Sequence, residues 1–215
     1  MGKTILVTGA ASGLGLEFLR SYSEADQGNV VYGIDRQPLP SPESRINIHF
    51  VQVDITSAQS LAALRSNLSE RPLDLVIHSA GIRGLVPDVE DRHPDDVAAC
   101  ETLKVMTPET FQRTLNINAV GAFALIQALV PNLRKAHDSK VVVMSSRMGS
   151  ISQNTSGSAY AYRASKAALN ALVKSFSIDI PEVTFILCHP GRVETKLVRC
   201  KEEGAISPKE SLEVL

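Results

Sequence analysis

Two textures alternate along the chain: short runs of β-branched and aliphatic residues, and longer stretches in which apolar positions recur every three or four residues. The first kind predicts buried strands and the second amphipathic helices. Residues 4–7 (Thr-Ile-Leu-Val) read as a strand, followed by a glycine-rich turn and a helix over 14–24. A second strand covers 30–34 and ends at Asp35; a third covers 46–53 and ends at Asp54. A helix over 57–68, capped by Thr56, leads to a strand over 73–78. After a segment containing Gly and Pro (81–108), a long helix is predicted over 109–136, with Pro131 placed to kink it. A strand over 140–144, a helix over 159–178 and a strand over 183–188 complete the pattern.

Apolar strands alternating with amphipathic helices predict a parallel sheet covered on both faces, a doubly wound α/β fold forming a three-layer αβα sandwich. Ligands of such sheets bind at the carboxyl ends of the strands. The length of 215 residues fits one domain over 1–215. A net charge of -1, without a basic block, gives no reason to expect nucleic acid or an anionic membrane as partner. Cys100, Cys188 and Cys200 are too few and scattered for a disulfide framework or zinc site and read as free thiols. The first apolar run stops at Thr8-Gly9, so no secretory signal is expected. The apolar stretch over 119–130, broken by Gly121 and Gln127, is expected to be too short to span a bilayer. A cytoplasmic protein is therefore expected, with 38–45 as a proline-rich loop.

The turn Thr8-Gly9-Ala10-Ala11-Ser12-Gly13-Leu14-Gly15 lies directly between the first strand and the first helix. Glycines there permit a tight turn and let the backbone approach a pyrophosphate, which the N–H groups and dipole of the helix N-terminus then hold. That places a dinucleotide at Gly9, Ser12, Gly13, Leu14 and Gly15, as in a Rossmann unit. Asp35 ends the second strand, where a carboxylate accepts from the adenosine ribose hydroxyls and repels a 2′-phosphate. NAD is therefore favoured; Arg36, whose guanidinium could hold that phosphate, keeps NADP open. Asp54, with Ile55 beside it, is placed to meet the adenine, or serves as the acid of a turn before the helix.

Tyr162 and Lys166 sit four residues apart on a predicted helix and so share a face. A tyrosine with a pKa of about 10 is a poor proton donor or base at neutral pH. An adjacent ammonium is expected to bring it toward the working range. Tyr160 points elsewhere, to packing or to the pocket wall. Taken in order, the glycine-rich turn, Asn118 after a long helical run, Ser146 after the fifth strand, Tyr162-x-x-x-Lys166 and the Pro190-Gly191 turn resemble the short-chain dehydrogenase/reductase family. Residues 145–151 and 160–170 are similar to its C-factor and sniffer carbonyl-reductase branch.

The resemblance implies a hydride transfer between NAD(P)(H) and a carbonyl or alcohol. Tyr162 would be the general acid or base. Lys166 would bind the nicotinamide ribose, and Ser146 would hydrogen-bond the substrate carbonyl, with Ser145 as its rival. Asn118 would hold a water of the proton relay, and Ala80 and Gly81 would allow close approach of the adenosine side. Pro190, Gly191, Val193 and Thr195 would seat the nicotinamide amide. The substrate pocket would draw on 82–108, 151–158 and 192–214, whose contents select neither a charged nor a strongly apolar ligand. A homodimer through the long helices is expected by analogy of fold.

Two departures stand out. His78-Ser79-Ala80-Gly81 replaces the family's Asn-Asn-Ala-Gly, and a histidine there reads as packed and hydrogen-bonded. Family members also continue past a helix such as that begun at 206–215 to a final strand. None is legible, so the sheet is expected to lack it. The rival reading is a nucleotide-binding regulator on the same fold without catalysis. The direction of the reaction stays open at this level.

Overall fold

The computed structural model describes residues 2–41 and 45–214, so part of the 38–45 loop lies outside the described residues. In chain order come β1 (Thr4–Thr8), α1 (Gly13–Ala25), β2 (Val30–Asp35), β3 (Ile48–Gln52), α2 (Ala58–Leu68) and β4 (Leu75–His78). They are followed by α3 (Pro87–Arg92), α4 (Pro108–Leu115), α5 (Ala122–Leu133), β5 (Lys140–Met144), α6 (Tyr160–Asp179), β6 (Thr184–Cys188) and α7 (Pro208–Glu213). The strands form a six-stranded sheet of order β3-β2-β1-β4-β5-β6, parallel throughout. The chain runs outward from β1 to β3, then crosses back to β4 on the other side of β1. That reversal opens a crevice at the carboxyl ends of β1 and β4.

Strand alternation sorts the core into two layers. Leu6 of β1 and Ile34 of β2 face a large cluster with Leu61, Leu64, Leu125 and Leu129, under α2, α5 and α6. Ile5 and Val7 face the opposite layer, with Leu14, Phe18 and Leu19 of α1 and, at its margin, Leu212 of α7. At the β6 edge Ile186 and Leu187 remain exposed.

Several local devices differ from the sequence reading. Ser57, not Thr56, caps α2, its side chain accepting from the Ser60 N–H. Thr56 instead donates its hydroxyl to Asp54 in a turn. The long helix runs over 26 residues, Pro108–Leu133, and contains an 18-residue window of mean hydropathy 1.4, by length and composition alone enough to cross a bilayer. The expectation that this stretch is too short is thereby corrected: helical residues on both sides of 119–130 extend it. In the fold, its Leu125, Ile126, Leu129 and Leu133 lie in the core against the sheet. Pro131 falls near its C-terminal end, so the i→i−4 bond it removes is followed by only two helical residues. The helix is interrupted at Asn116–Gly121 by a wider π-type turn.

Two contacts fasten the crevice. A Cβ on Gly15 would lie 2.2 Å from the Gly9 carbonyl oxygen, so α1 rests directly on the backbone of the turn. Across the reversal, Thr8 Oγ1 accepts from the N–H groups of Ser79 (3.1 Å) and Ala80 (2.9 Å). With both lone pairs so engaged, its proton is directed to His78 Nδ1 at 3.1 Å. The imidazole therefore carries its proton on Nε2, which is buried without a protein partner. Burial, with the Lys166 charge second, pushes the His78 pKa down to about 3.

Gly15→Ala is expected to destabilise the fold at or above the upper end of the ~1–3 kcal/mol typical of over-packing, read by urea unfolding. His78 makes a second prediction. Between its folded value of about 3 and an unfolded value near 6.5, only the unfolded chain binds the proton. Stability is therefore full above about pH 6.5 and falls as the pH drops, with about 2 kcal/mol lost from this group at about pH 5. Unfolding of wild type and His78→Asn at pH 7 and 5 checks this; an equal pH dependence in both would contradict it.

Candidate functional site

A cavity of about 1310 Å³ runs along the carboxyl ends of the strands. Of the site residues named from the sequence, all line it except Gly15 and Asn118. Gly15 lies beneath the turn, where its missing side chain permits the α1 contact described above.

One arm of the cavity is built on the glycine-rich turn. Gly9 and Gly13 adopt φ of +68° and +51°, left-handed conformations that favour glycine. A side chain on Gly9 would press on the Ala80 backbone, and one on Gly13 on Thr195. Ser12, at the N-cap of α1, makes no side-chain capping bond, and the first turn carries no acid. The leading N–H groups of a 13-residue helix thus face the cavity with an unopposed dipole, a setting that suits an anionic pyrophosphate. Asp35 closes this arm: its carboxylate accepts from Ala11 N–H (3.1 Å) and Gln37 N–H (2.9 Å), tying the end of β2 to the turn. Arg36 is exposed beside it. The Asp54 carboxylate accepts from both the N–H and the hydroxyl of Thr56, which holds its pKa below the usual carboxylate value.

The other arm centres on Tyr162, in the first turn of α6. The helix is entered through three consecutive residues of positive φ, Gly157, Ser158 and Ala159. They are anchored by the Glu101 carbonyl, which accepts from the Ala159 N–H (3.0 Å) and the Ser158 hydroxyl (3.0 Å). Ser146 accepts from the Met148 N–H (3.2 Å) and lines the cavity beside Tyr162, whose pKa it lowers. Ser145, the rival from sequence, gives its proton to Asn170 Oδ1 at 2.6 Å and is set aside by that bond. Tyr160 is exposed and does not line the cavity, contrary to a pocket-wall role.

The Asn118 side chain is a clasp: its oxygen accepts from Ile82 N–H, and its amide donates to Ile82 O and Ser165 Oγ, at 2.8–2.9 Å. One expectation needs correction. Lys166 is buried, its ammonium donating to Met144 O at 2.8 Å and lying 5.7 Å from the Tyr162 ring centroid. Burial lowers its pKa to about 8. Tyr162 is not brought down as the Tyr/Lys spacing predicts. Burial raises its pKa; Arg83 and Ser146 oppose this, while Glu101 and Glu202 add to it.

Arg83 escaped the sequence reading. Its Nε and Nη2 form a bidentate pair with Glu101, both at 2.8 Å, and its guanidinium carbon lies 4.8 Å from the Tyr162 ring centroid. Neither partner sits in a periodic segment or a recognisable motif. A lone Arg after Gly81-Ile82 and an acid in a loop carry no spacing signal.

Comparison with known proteins agrees with this architecture. Residues 3–205 match the short chain dehydrogenase family. The C-signal protein of Myxococcus xanthus is 38% identical over 139 residues, covering 64% of this chain and 75% of that protein. A short-chain dehydrogenase/reductase from Burkholderia multivorans, solved with bound NADP, superposes with a TM-score of 0.81 at 27% identity, covering 99% of this chain and 88% of the other. NADPH-bound carbonyl reductase from chicken fatty liver gives 0.79 at 25% identity, covering 99% and 84%. With its reversed parallel sheet, its glycine-rich turn under α1 and a match that spans nearly the whole sequence, the chain belongs to the short-chain dehydrogenase/reductase family and lies with its carbonyl-reductase branch.

Proposed function

We propose that the protein transfers hydride between a nicotinamide dinucleotide and a carbonyl or alcohol, with Tyr162 as the proton donor in reduction and the acceptor in oxidation. The observation that carries this reading is the Tyr162 phenol, buried, with Ser146 and Lys166 lining the same cavity as the Gly9–Gly13 turn. The bound nicotinamide supplies or takes up the hydride. Reduction of a C=O then needs one proton at the oxygen, and Tyr162 is the group placed to give it. The Ser146 hydroxyl, within reach of the phenol, donates to the same oxygen as negative charge develops there. Lys166, its ammonium donating to Met144 O, lines the same cavity and would bind the nicotinamide ribose. Pro190, Gly191, Val193 and Thr195 line the cavity beyond them and would seat the carboxamide.

Asp35 supports a preference for NAD. Its carboxylate is fixed by two backbone N–H groups at the end of β2, and close to a 2′-phosphate its repulsion would amount to roughly a few kcal/mol. The two solved structures described above hold NADP and NADPH, so a preference for NAD would set this chain apart from them, with Asp35 as its proposed cause.

Tyr162→Phe is expected to lower kcat by about 10²–10⁴-fold while leaving nucleotide affinity unchanged. Unchanged turnover in a carbonyl screen would remove Tyr162 from the chemistry. Calorimetric titration is expected to show tighter binding of NADH than of NADPH, with the gap narrowed in Asp35→Ser. Tighter NADPH binding would reverse the assignment, and binding of neither would favour a regulator that keeps the fold without the reaction.

A further inference from the structure

The cavity contains a charged pair that the reaction proposed above does not use. Arg83 follows the Ala80-Gly81 turn, and Glu101 lies in a short helical turn at Ala99–Glu101. Both side chains are largely buried, at 14% and 9% exposed. The bidentate bond takes up Nε and Nη2, while Nη1 points to the sulfur of Met148 at 3.2 Å. The planar guanidinium thus lies over the Tyr162 ring, at 4.8 Å from its centroid. Lys166, the cation expected to do this, is farther from the ring at 5.7 Å and turned to a carbonyl.

We propose that Arg83 is a positioning residue for Tyr162: clamped by Glu101, its guanidinium packs on the phenol, fixes the ring in the cavity and supplies the closer positive charge. Glu101 performs two tasks at once. Its carboxylate orients Arg83, and its carbonyl secures the strained entry to α6 that carries Tyr162. The guanidinium and the ring are therefore referred to one residue, from opposite sides. A cation within about 6 Å of an aromatic face is attracted to it, the more so where water is excluded. The same cation favours the phenolate over the phenol. The charged and titratable groups around Tyr162 are Arg83 after β4, Glu101 in the short turn, Ser146 after β5, Lys166 on α6 itself and Glu202 in the segment before α7. Arg83 and Ser146 favour ionisation; Glu101 and Glu202 oppose it.

The assignment rests on Tyr162 as the reacting acid, yet its test does not require turnover. The chain has four tyrosines, so carbon-13 labelling of the phenol carbon gives a simple spectrum in which Tyr162→Phe identifies the Tyr162 signal. Glu101→Gln keeps an acceptor for Arg83 but removes the negative charge, and its Tyr162 titration midpoint is expected to fall below that of wild type. Arg83→Met combined with Glu101→Gln leaves no unpaired buried charge. Its midpoint is expected to rise by about one pH unit or more above that of Glu101→Gln alone, and Lys in place of Met should recover part of the shift. Loss of packing alone would not move the two substitutions in opposite directions and be rescued by charge. A Glu101→Gln midpoint that does not fall below wild type, or a double-variant midpoint that does not rise above that of Glu101→Gln, would overturn the proposal. If the midpoints behave as expected while Tyr162→Phe still turns over substrate, the reaction assignment fails and the Arg83 assignment stands.

Discussion

The site depends on the hydroxyl of Thr8. It sits at the carboxyl end of β1, where the order of the sheet reverses, and its three hydrogen bonds join β1 to the end of β4. Parallel strands offer each other a regular ladder, but the ladder stops where the strands stop. Beyond it, the course of residues 79–83 has to be fixed by other means. Thr8 orients Ser79 and Ala80, and two residues later Asn118 takes over by bonding both the N–H and the C=O of Ile82. Arg83 comes next and lies against Tyr162. One short segment, held first by a strand and then by a helix, thereby connects the nucleotide arm of the cavity with its reactive arm.

That segment also explains the unusual company of buried polar groups. His78 is neutral because burial and the Lys166 charge both disfavour its protonation. Lys166 itself lies at about 8 for want of solvent, and Tyr162 is raised for the same reason. Burial therefore drives the two pKa values apart, Lys166 downward and Tyr162 upward, and their neighbours adjust the difference. An aromatic acid kept protonated at neutral pH suits a proton donor. A histidine where the family carries an amide can be tolerated because Thr8 satisfies the ring nitrogen nearest it.

The pattern of strands and helices was legible because each element carries a signature: short runs rich in β-branched and aliphatic residues in β1 and β2, and apolar positions three and four apart in α1, α5 and α6. The positions of Gly9, Gly13, Asp35, Ser146 and Tyr162 at strand ends or helix starts followed from the order of motifs. Less accessible was anything that depends on which of two adjacent groups is already bonded. Ser145 and Ser146 are equivalent in the sequence until Asn170, on the neighbouring helix, takes the proton of one. Tyr162 and Lys166 share a face, as spacing requires, but spacing says nothing about Met144 O, which draws the ammonium away. The π-type turn at Asn116–Gly121 likewise has no periodic signature. Arg83 and Glu101 meet only because the loop after β4 and the short helical turn at Ala99–Glu101 converge over the cavity.

The strand order has a bearing on how the chain is made. β1 is the central partner of the sheet, yet its two neighbours, β2 and β4, are separated by about 40 residues of sequence. On a ribosome adding roughly 5–20 residues per second, β1 and β2 can pair while the far side of β1 waits about 2–8 s for β4 to be synthesised. During that interval Ile5, Leu6 and Val7, fully buried in the finished protein, border an open hydrogen-bonding edge. The nascent chain is thus most exposed to mispairing not at its ends but at the strand that later lies deepest, and closure of that strand coincides with assembly of the nucleotide cleft.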